Sequence, residues 1–212
     1  MNEKLQYLAK NDPQLGKLID LLGELQIENR TDYYVSLIRS IIGQQLSVTA
    51  SRKIYDRLVK LTEGETTPEK ILSLSDEAIR EIGVSYRKID YMKDLSKKIV
   101  QQQIDLQHIN ELPNTEVIEL LTSVKGIGEW TAQMFLIFTL ERDDVLAVQD
   151  VGLHRGAKWL YGGENGREVL IEKAKNWSPY ETIASLYLWE VVNSGIILKH
   201  KSFEEFYHLN KT

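Results

Sequence analysis

Apolar residues recur along this chain at the spacing of α-helices almost from end to end. Four of them form one helix face within residues 33–45, at the spacing i, i+1, i+4, i+5: Leu37, Ile38, Ile41 and Ile42. Strand signals are nearly absent, and we interpret the short run DVLAV at residues 144–148 as an extended connector. The periodicity therefore predicts an all-α fold.

Capping residues predict where several of these helices begin. Asn114 is placed to cap a helix over residues 115–122. Ser178 is followed by a proline and stands three positions before Glu181, which is the pattern of a capping box. This pattern predicts a long helix over residues 179–193.

Composition excludes several classes of site. The chain has no cysteine, so disulfides, thiolate nucleophiles and Cys-ligated zinc or iron–sulfur clusters are ruled out. The four histidines show no pairing at metal-ligand spacing. The net charge of −5 argues against a nucleic-acid partner. It does not decide the matter, because backbone amides can contact phosphate within an acidic protein.

No signal peptide or membrane-spanning run is visible at the N-terminus or beyond it. We therefore expect a cytosolic protein that associates with no membrane.

A glycine turn between two apolar helices is the sharpest local motif. Gly126-Ile127-Gly128 separates a helix ending near Thr122 from one predicted over residues 129–140. The glycines permit close backbone approach, Ile127 can anchor the turn in the core, and the new helix offers unpaired amides to a phosphate. Plain packing of two helices would explain the same pattern, so both interpretations stay open here.

Asp150 follows Gly128 by 22 residues, at the end of the extended run and the start of a predicted helix over residues 151–160. One interpretation is an ordinary N-cap. The other is a functional carboxylate that faces a pocket, and the two roles are compatible because a helix N-terminus favours a negative charge.

Together, the hairpin and the downstream aspartate resemble the helix-hairpin-helix DNA glycosylase superfamily, and most closely its DNA-3-methyladenine glycosylase II branch. Seven positions match the hairpin pattern: Leu121, Val124, Gly126, Ile127, Gly128, Thr131 and Ala132. Residues 41–48 and 177–189 also match, and the resemblance extends from about Tyr33 to Asn193. Glu129 departs from it, since many members carry a basic residue there.

The resemblance implies a two-lobed helical fold with a central cleft. Residues 1–32 would pack with a C-terminal lobe over residues 144–212. The middle lobe would span residues 33–143, with the hairpin at residues 120–140. Asp150 would begin the C-terminal lobe and face the cleft.

The resemblance also implies the chemistry. Asp150 would be the catalytic carboxylate, and Lys125 with Gly126, Ile127 and Gly128 would contact DNA phosphates. Trp130 stands where members that also nick the strand carry a Schiff-base lysine, so base removal without strand cleavage is expected.

Further site residues follow from the same resemblance. Trp130, Met134 and Trp189 would line the pocket for a flipped-out base, with Met134 where a relative has tyrosine.

Gln45, with Gln44 or Leu46, would be the wedge that fills the gap in the base stack. A solvated helix end is the alternative for the two glutamines.

No cofactor is required by this interpretation, although a structural monovalent cation is implied at main-chain carbonyls of Thr122, Val124 and Ile127. The expected partner is double-stranded DNA containing damaged bases, bound by a monomer. The expected substrates are alkylated purines. Two alternatives stay open: a glycosylase for uracil, mispaired thymine or an oxidised purine, and a non-catalytic DNA-binding module.

Overall fold

A computed structural model describes residues 2–25 and 32–211. Over these ranges the chain forms fourteen α-helices and one short 3₁₀ turn and contains no β-strand, which confirms the all-α prediction. In chain order the helices are α1 Glu3–Asn11, α2 Pro13–Leu22, α3 Tyr33–Gly43, α4 Val48–Leu61, α5 Pro68–Ser73, α6 Asp76–Glu81, α7 Tyr86–Val100, α8 Asn114–Thr122, α9 Glu129–Phe138, α10 Val151–Tyr161, α11 Gly166–Ala174, α12 Glu181–Asn193, α13 Ile196–Lys199 and α14 Phe203–Asn210.

The chain divides into two compact units. One consists of residues 1–28 and 141–212, and the other of residues 29–140. The first boundary between them lies among residues 26–31, which are outside the described ranges.

The unit of residues 29–140 is organised around α7, which packs against α3, α5 and α6. The apolar face of α3 predicted from the spacing is buried, and Leu37 and Ile38 have no exposed surface. Ser47 caps α4 by accepting a hydrogen bond from the amide of Ala50. Helices α8 and α9 pack against each other as the predicted hairpin.

The other unit packs α10 against both α11 and α12. A buried carboxylate ties the N-terminal helices to this group. Asp12 caps α2 through the amide of Leu15 and also accepts hydrogen bonds from the Tyr161 hydroxyl and the Trp177 indole, at 2.6 and 2.9 Å. Because all three donors converge on one buried charge, the carboxylate is stabilised without a cationic partner in the group.

Two predicted helix starts are wrong. Helix α8 includes Asn114, and its N-cap residue is Pro113. Helix α12 begins at Glu181 instead of residue 179, and the Ser178–Pro179 peptide bond is cis. The Ser178 hydroxyl donates to Asp144 Oδ2 at 2.7 Å, so its side chain serves a tertiary contact instead of a helix cap.

Among the described residues, no helix has both the length and the apolar character needed to cross a bilayer.

Candidate functional site

Asp150 lies at the N-cap of α10, as its position in the sequence predicted. Its Oδ1 accepts a hydrogen bond of 2.9 Å from the amide of Leu153, and its own amide donates to the carbonyl oxygen of Ala147 at 2.9 Å. The residue is only half-buried. The carboxylate is therefore held by a backbone amide of α10, in a residue that is partly exposed to solvent.

A second hydrogen bond orients the same carboxylate oxygen. Trp189 Nε1, on α12, donates to Asp150 Oδ1 at 2.9 Å. Two donors on one oxygen restrict rotation of the carboxylate, because turning it would weaken both hydrogen bonds. Trp189, one of the predicted pocket residues, is thus in direct contact with Asp150.

Gly152 makes room for this pair, and the sequence carried no local signal for its role. A Cβ at Gly152 would lie 2.9 Å from Asp150 Oδ1 and 3.1 Å from Trp189 Cδ1. Only glycine fits there without displacing one of the two side chains.

The hairpin turn is anchored in the core through Ile127, which is 4% exposed, as predicted. The amide of Ile127 donates to the carbonyl oxygen of Val124 at 3.1 Å, which closes the turn. The first hydrogen bond within α9 runs from Ala132 N–H to Gly128 C=O. The amides that precede Ala132 therefore lack an acceptor inside the helix, as at any helix N-terminus.

The two glycines of the hairpin have different roles. Gly126 has φ +77°, and a Cβ there would lie 2.1 Å from the ring of Tyr91. Gly128 has φ −95°, and a Cβ there would meet nothing within 4 Å. Gly126 is thus required by packing inside the protein, whereas the space beside Gly128 is open to a ligand.

Helix α7 forms the support beneath the hairpin. Asp94 accepts the amide of Lys125 at 2.9 Å, and Lys98 Nζ donates to the carbonyl oxygen of Ser123 at 3.0 Å. Lys125 Nζ, expected to contact phosphate, forms an exposed ion pair with Asp90 at 3.2 Å. These α7 residues lie about 30 positions before the turn, so periodicity and capping patterns could not identify them.

Trp130 and Met134 lie one turn apart on α9 and therefore share a face of the helix. Trp130 is 47% exposed, which is unusual for a tryptophan, and Met134 is half-buried. Glu129 accepts a hydrogen bond from Gln133 at 3.2 Å. The Trp130 indole is thus partly open to solvent in the first turn of α9.

The residues predicted to form a wedge make a tight turn directly after α3. Leu46 N–H donates to Gly43 C=O at 3.0 Å, with Gln44 at φ −51°, ψ 125° and Gln45 at φ +58°. These angles define a type II β-turn, whose third position normally holds glycine or asparagine. Gln45 and Leu46 are both exposed. A glutamine in this conformation stores strain, which is typical of functional positions.

Gln44 differs from its two neighbours because its side chain points to the hairpin. Gln44 Nε2 donates to the carbonyl oxygen of Gly126 at 2.7 Å. Lys88 Nζ, on α7, donates to the carbonyl oxygens of Ile42 and Gln44, both at 2.7 Å. Burial, and secondarily the charge of Arg87, lowers the pKa of Lys88. Gln44 therefore connects the turn to the hairpin, which leaves Gln45 and Leu46 as the exposed members.

No cluster of three or more acidic, histidine or cysteine side chains suited to a metal ion occurs in the part of the chain that the structure describes. The main-chain cation at Thr122, Val124 and Ile127 stays a prediction. Carbonyl oxygens suit a hard cation. The carbonyl oxygen of Val124 also accepts a hydrogen bond from the amide of Ile127.

Comparison with known proteins identifies the family. Residues 38–179 match the HhH-GPD superfamily of base excision DNA repair proteins, a segment that contains the type II turn, the hairpin and Asp150. The chain belongs to this superfamily. Trp189 lies beyond the matched segment, so its contact with Asp150 is known from the structure alone.

Individual members of the HhH-GPD superfamily are similar over nearly the whole chain. A crystal structure of a DNA-3-methyladenine glycosidase from Bacillus halodurans is 41% identical, with a TM-score of 0.91, and the match covers 98% of this chain and 96% of that one. DNA-3-methyladenine glycosylase 1 of Schizosaccharomyces pombe is 33% identical over 87% of this chain and 84% of its own length. A structure of a 3-methyladenine DNA glycosylase from the same yeast, in complex with abasic DNA, is 30% identical, with a TM-score of 0.81, over 91% of this chain and 97% of that one. These similarities confirm the resemblance and the helix-hairpin-helix fold.

Proposed function

We propose that this protein is a monofunctional DNA glycosylase that hydrolyses the N-glycosidic bond of flipped-out alkylated purines, of the 3-methyladenine type, in duplex DNA. The observation that carries the proposal is the half-buried carboxylate of Asp150, oriented by Trp189 at the N-terminus of α10. Similar proteins that are named DNA-3-methyladenine glycosylases support the choice of reaction.

The chemistry requires one correctly placed carboxylate. Breaking an N-glycosidic bond builds positive charge on the sugar, as in other glycoside hydrolyses. Asp150 would stabilise that charge and orient or deprotonate the attacking water. The donors from Leu153 and Trp189 hold Oδ1, so the carboxylate is organised before the substrate arrives.

The exposed indole of Trp130 supports a cationic substrate. A purine alkylated on a ring nitrogen carries positive charge, and an electron-rich ring attracts it with about 0.5–2 kcal/mol. Such a base is already a good leaving group, so binding and exposure of the base account for much of the catalysis required. Met134, one turn after Trp130 on α9, would line the pocket beside it.

Trp130 also supports the absence of strand cleavage. A lysine at this position could attack the sugar to form a Schiff base and then release the strand by β-elimination. An indole has no nucleophilic amine, so the expected product is an intact strand with an abasic site.

Contact with duplex DNA would occur through backbone groups of the hairpin. The space beside Gly128 is open, and the N-terminus of α9 presents amides there. Such a contact reads phosphate without sequence preference, which suits a monomer that searches for damage and carries a net charge of −5. Gln45 and Leu46 would fill the gap left by the extruded nucleotide.

One experiment tests the reaction and its class together. Duplex oligonucleotides carrying 3-methyladenine, 7-methylguanine, uracil or 8-oxoguanine are incubated with the protein and then split into samples with and without hot alkali. Strand breaks that require alkali, for the alkylated purines, are the expected result. Breaks without alkali contradict the role assigned to Trp130, and release of uracil or 8-oxoguanine alone contradicts the substrate class. No release from any lesion, with DNA binding retained, would identify a non-catalytic binding module.

The hairpin cation is tested separately. Replacing potassium and sodium by tetramethylammonium at constant ionic strength should weaken binding to undamaged duplex if carbonyls of Thr122, Val124 and Ile127 hold a monovalent cation. Unchanged affinity would remove the cation from the proposal.

A further inference from the structure

Lys88 occupies an unusual position beneath the turn that follows α3. Its ammonium group is partly buried and donates to two main-chain carbonyls, those of Ile42 and Gln44. The first belongs to the last turn of α3, where the carbonyls lack N–H donors inside the helix and a cation is favoured. The second carbonyl, that of Gln44, lies in the turn after the helix, and its hydrogen bond to Lys88 affects the conformation of the turn.

The carbonyl of Gln44 belongs to the middle peptide of the type II turn. Type I and type II turns differ by a rotation of this peptide of about 180°, which moves its oxygen to the opposite side of the turn. In a type I turn the residue at position 45 would have φ of about −90°, where glutamine is unstrained. The observed φ of +58° at Gln45 therefore follows from the orientation of the Gln44 carbonyl.

We propose that Lys88 is a positioning residue that selects the type II form of this turn and thereby aims the Gln45 side chain. The 2.7 Å hydrogen bond from Lys88 to the Gln44 carbonyl stabilises the type II orientation of this peptide. Without that bond, the type II orientation is the less favourable one because it places Gln45 at a positive φ. Gln44 Nε2 holds the same turn against the hairpin through the carbonyl of Gly126. Together, the two contacts set the register between the exposed Gln45 and the hairpin.

The proposal predicts an interaction between Lys88 and the strain at Gln45 that can be measured without any enzymatic activity. A glycine at position 45 relieves strain only if the turn is type II. In the parent protein, Gln45→Gly should raise Tm by about 1–4 °C. In a Lys88→Met background the turn relaxes to type I, and Gln45→Gly should then leave Tm unchanged or lower it because glycine gains freedom in the unfolded chain.

The double-mutant cycle isolates the coupling, since the entropic cost of glycine is common to both backgrounds. Lys97→Met, at an exposed position on the same helix, is the matched control and should leave the effect of Gln45→Gly intact. Lys88→Gln, whose side chain is shorter and uncharged, provides the comparison if Lys88→Met folds poorly. An equal rise in Tm in the parent and Lys88 backgrounds would overturn the proposal.

A second measurement connects the turn to damage recognition and rests on the proposed function. Binding is compared between an undamaged duplex and a duplex with a tetrahydrofuran abasic-site analogue. Lys88→Met should weaken binding to the abasic duplex by about 10–100-fold, as expected when a hydrogen bond from a charged group is lost, and should change affinity for undamaged DNA by less than about threefold. Equal losses on both duplexes would contradict a positioning role. If the parent protein fails to distinguish the duplexes, the proposed function fails, whereas the thermal cycle still tests Lys88.

Discussion

The indole Nε1 of Trp189 donates a hydrogen bond of 2.9 Å to the Oδ1 atom of Asp150, 39 residues earlier in the chain. This contact joins the N-terminus of α10 to α12 and gives the carboxylate a fixed direction. The same oxygen accepts the capping hydrogen bond from the amide of Leu153. One carboxylate thus begins a helix and also has the fixed orientation that the proposed reaction requires.

Asp150→Asn should separate these two roles. The amide oxygen of asparagine can still accept from Leu153 and Trp189, so the change in the free energy of unfolding should stay below about 1 kcal/mol. Base release should fall by at least about 10²–10⁴-fold because the negative charge is lost. Single-turnover release from an alkylated duplex measures the rate, and binding to an abasic duplex confirms that the variant still engages DNA. Full activity of the variant would remove Asp150 from the mechanism.

Trp189→Phe keeps an aromatic ring but removes the indole N–H, and it should slow base release. The variant loses one hydrogen bond to a charged group, which corresponds to about a 10–100-fold lower rate of base release. The effect should largely disappear in an Asp150→Asn background, because both substitutions act on the same carboxylate. Additive effects in single-turnover assays would show that Trp189 contributes through stacking alone.

Gly126→Ala and Gly128→Ala add the same methyl group at two positions of the hairpin turn, and their effects on stability should differ. A Cβ at position 126 would overlap the Tyr91 ring at a φ of +77°, so this variant should lose about 2–4 kcal/mol of the free energy of unfolding. A Cβ at position 128 meets nothing, and stability there should change by less than about 0.5 kcal/mol.

Gly128→Ala, which should hardly change stability, should nevertheless weaken DNA binding. Its methyl group occupies the space through which a phosphate would approach the α9 amides, so affinity for undamaged duplex should fall by about tenfold. Urea unfolding and fluorescence anisotropy at fixed salt measure the two quantities. Wild-type affinity in Gly128→Ala would move the phosphate contact away from this turn.

Glu181→Gln should stabilise the protein in a pH-dependent way. Burial, and secondarily the nearby carboxylate of Asp144, raises the pKa of Glu181. The folded protein therefore retains this proton at pH values where the unfolded chain has released it, and its stability falls as pH rises through the raised pKa. Glutamine removes this dependence, so the gain in Tm over the parent should be larger at pH 7.5 than at pH 4. A gain that is constant with pH would contradict the shift.

Local features of this protein could be predicted from its sequence because they depend on residues within one or two helical turns. The buried face of α3, the N-cap at Asp150 and the anchoring of Ile127 all follow from spacing or capping chemistry. Prediction failed at Ser178 because a tertiary acceptor, Asp144, competed with the helix for the same hydroxyl.

The sequence alone determined that the chain is helical, that a glycine turn joins two helices and that a carboxylate begins α10. Only the tertiary structure decided what each of these features contacts. Trp189 reaches Asp150, Tyr91 lies against Gly126, and Lys88 holds the carbonyl of Gln44, each across dozens of residues. The reason is physical: helix spacing and caps depend on backbone geometry over a few residues, whereas these contacts form only when separate helices pack together and bury shared surface.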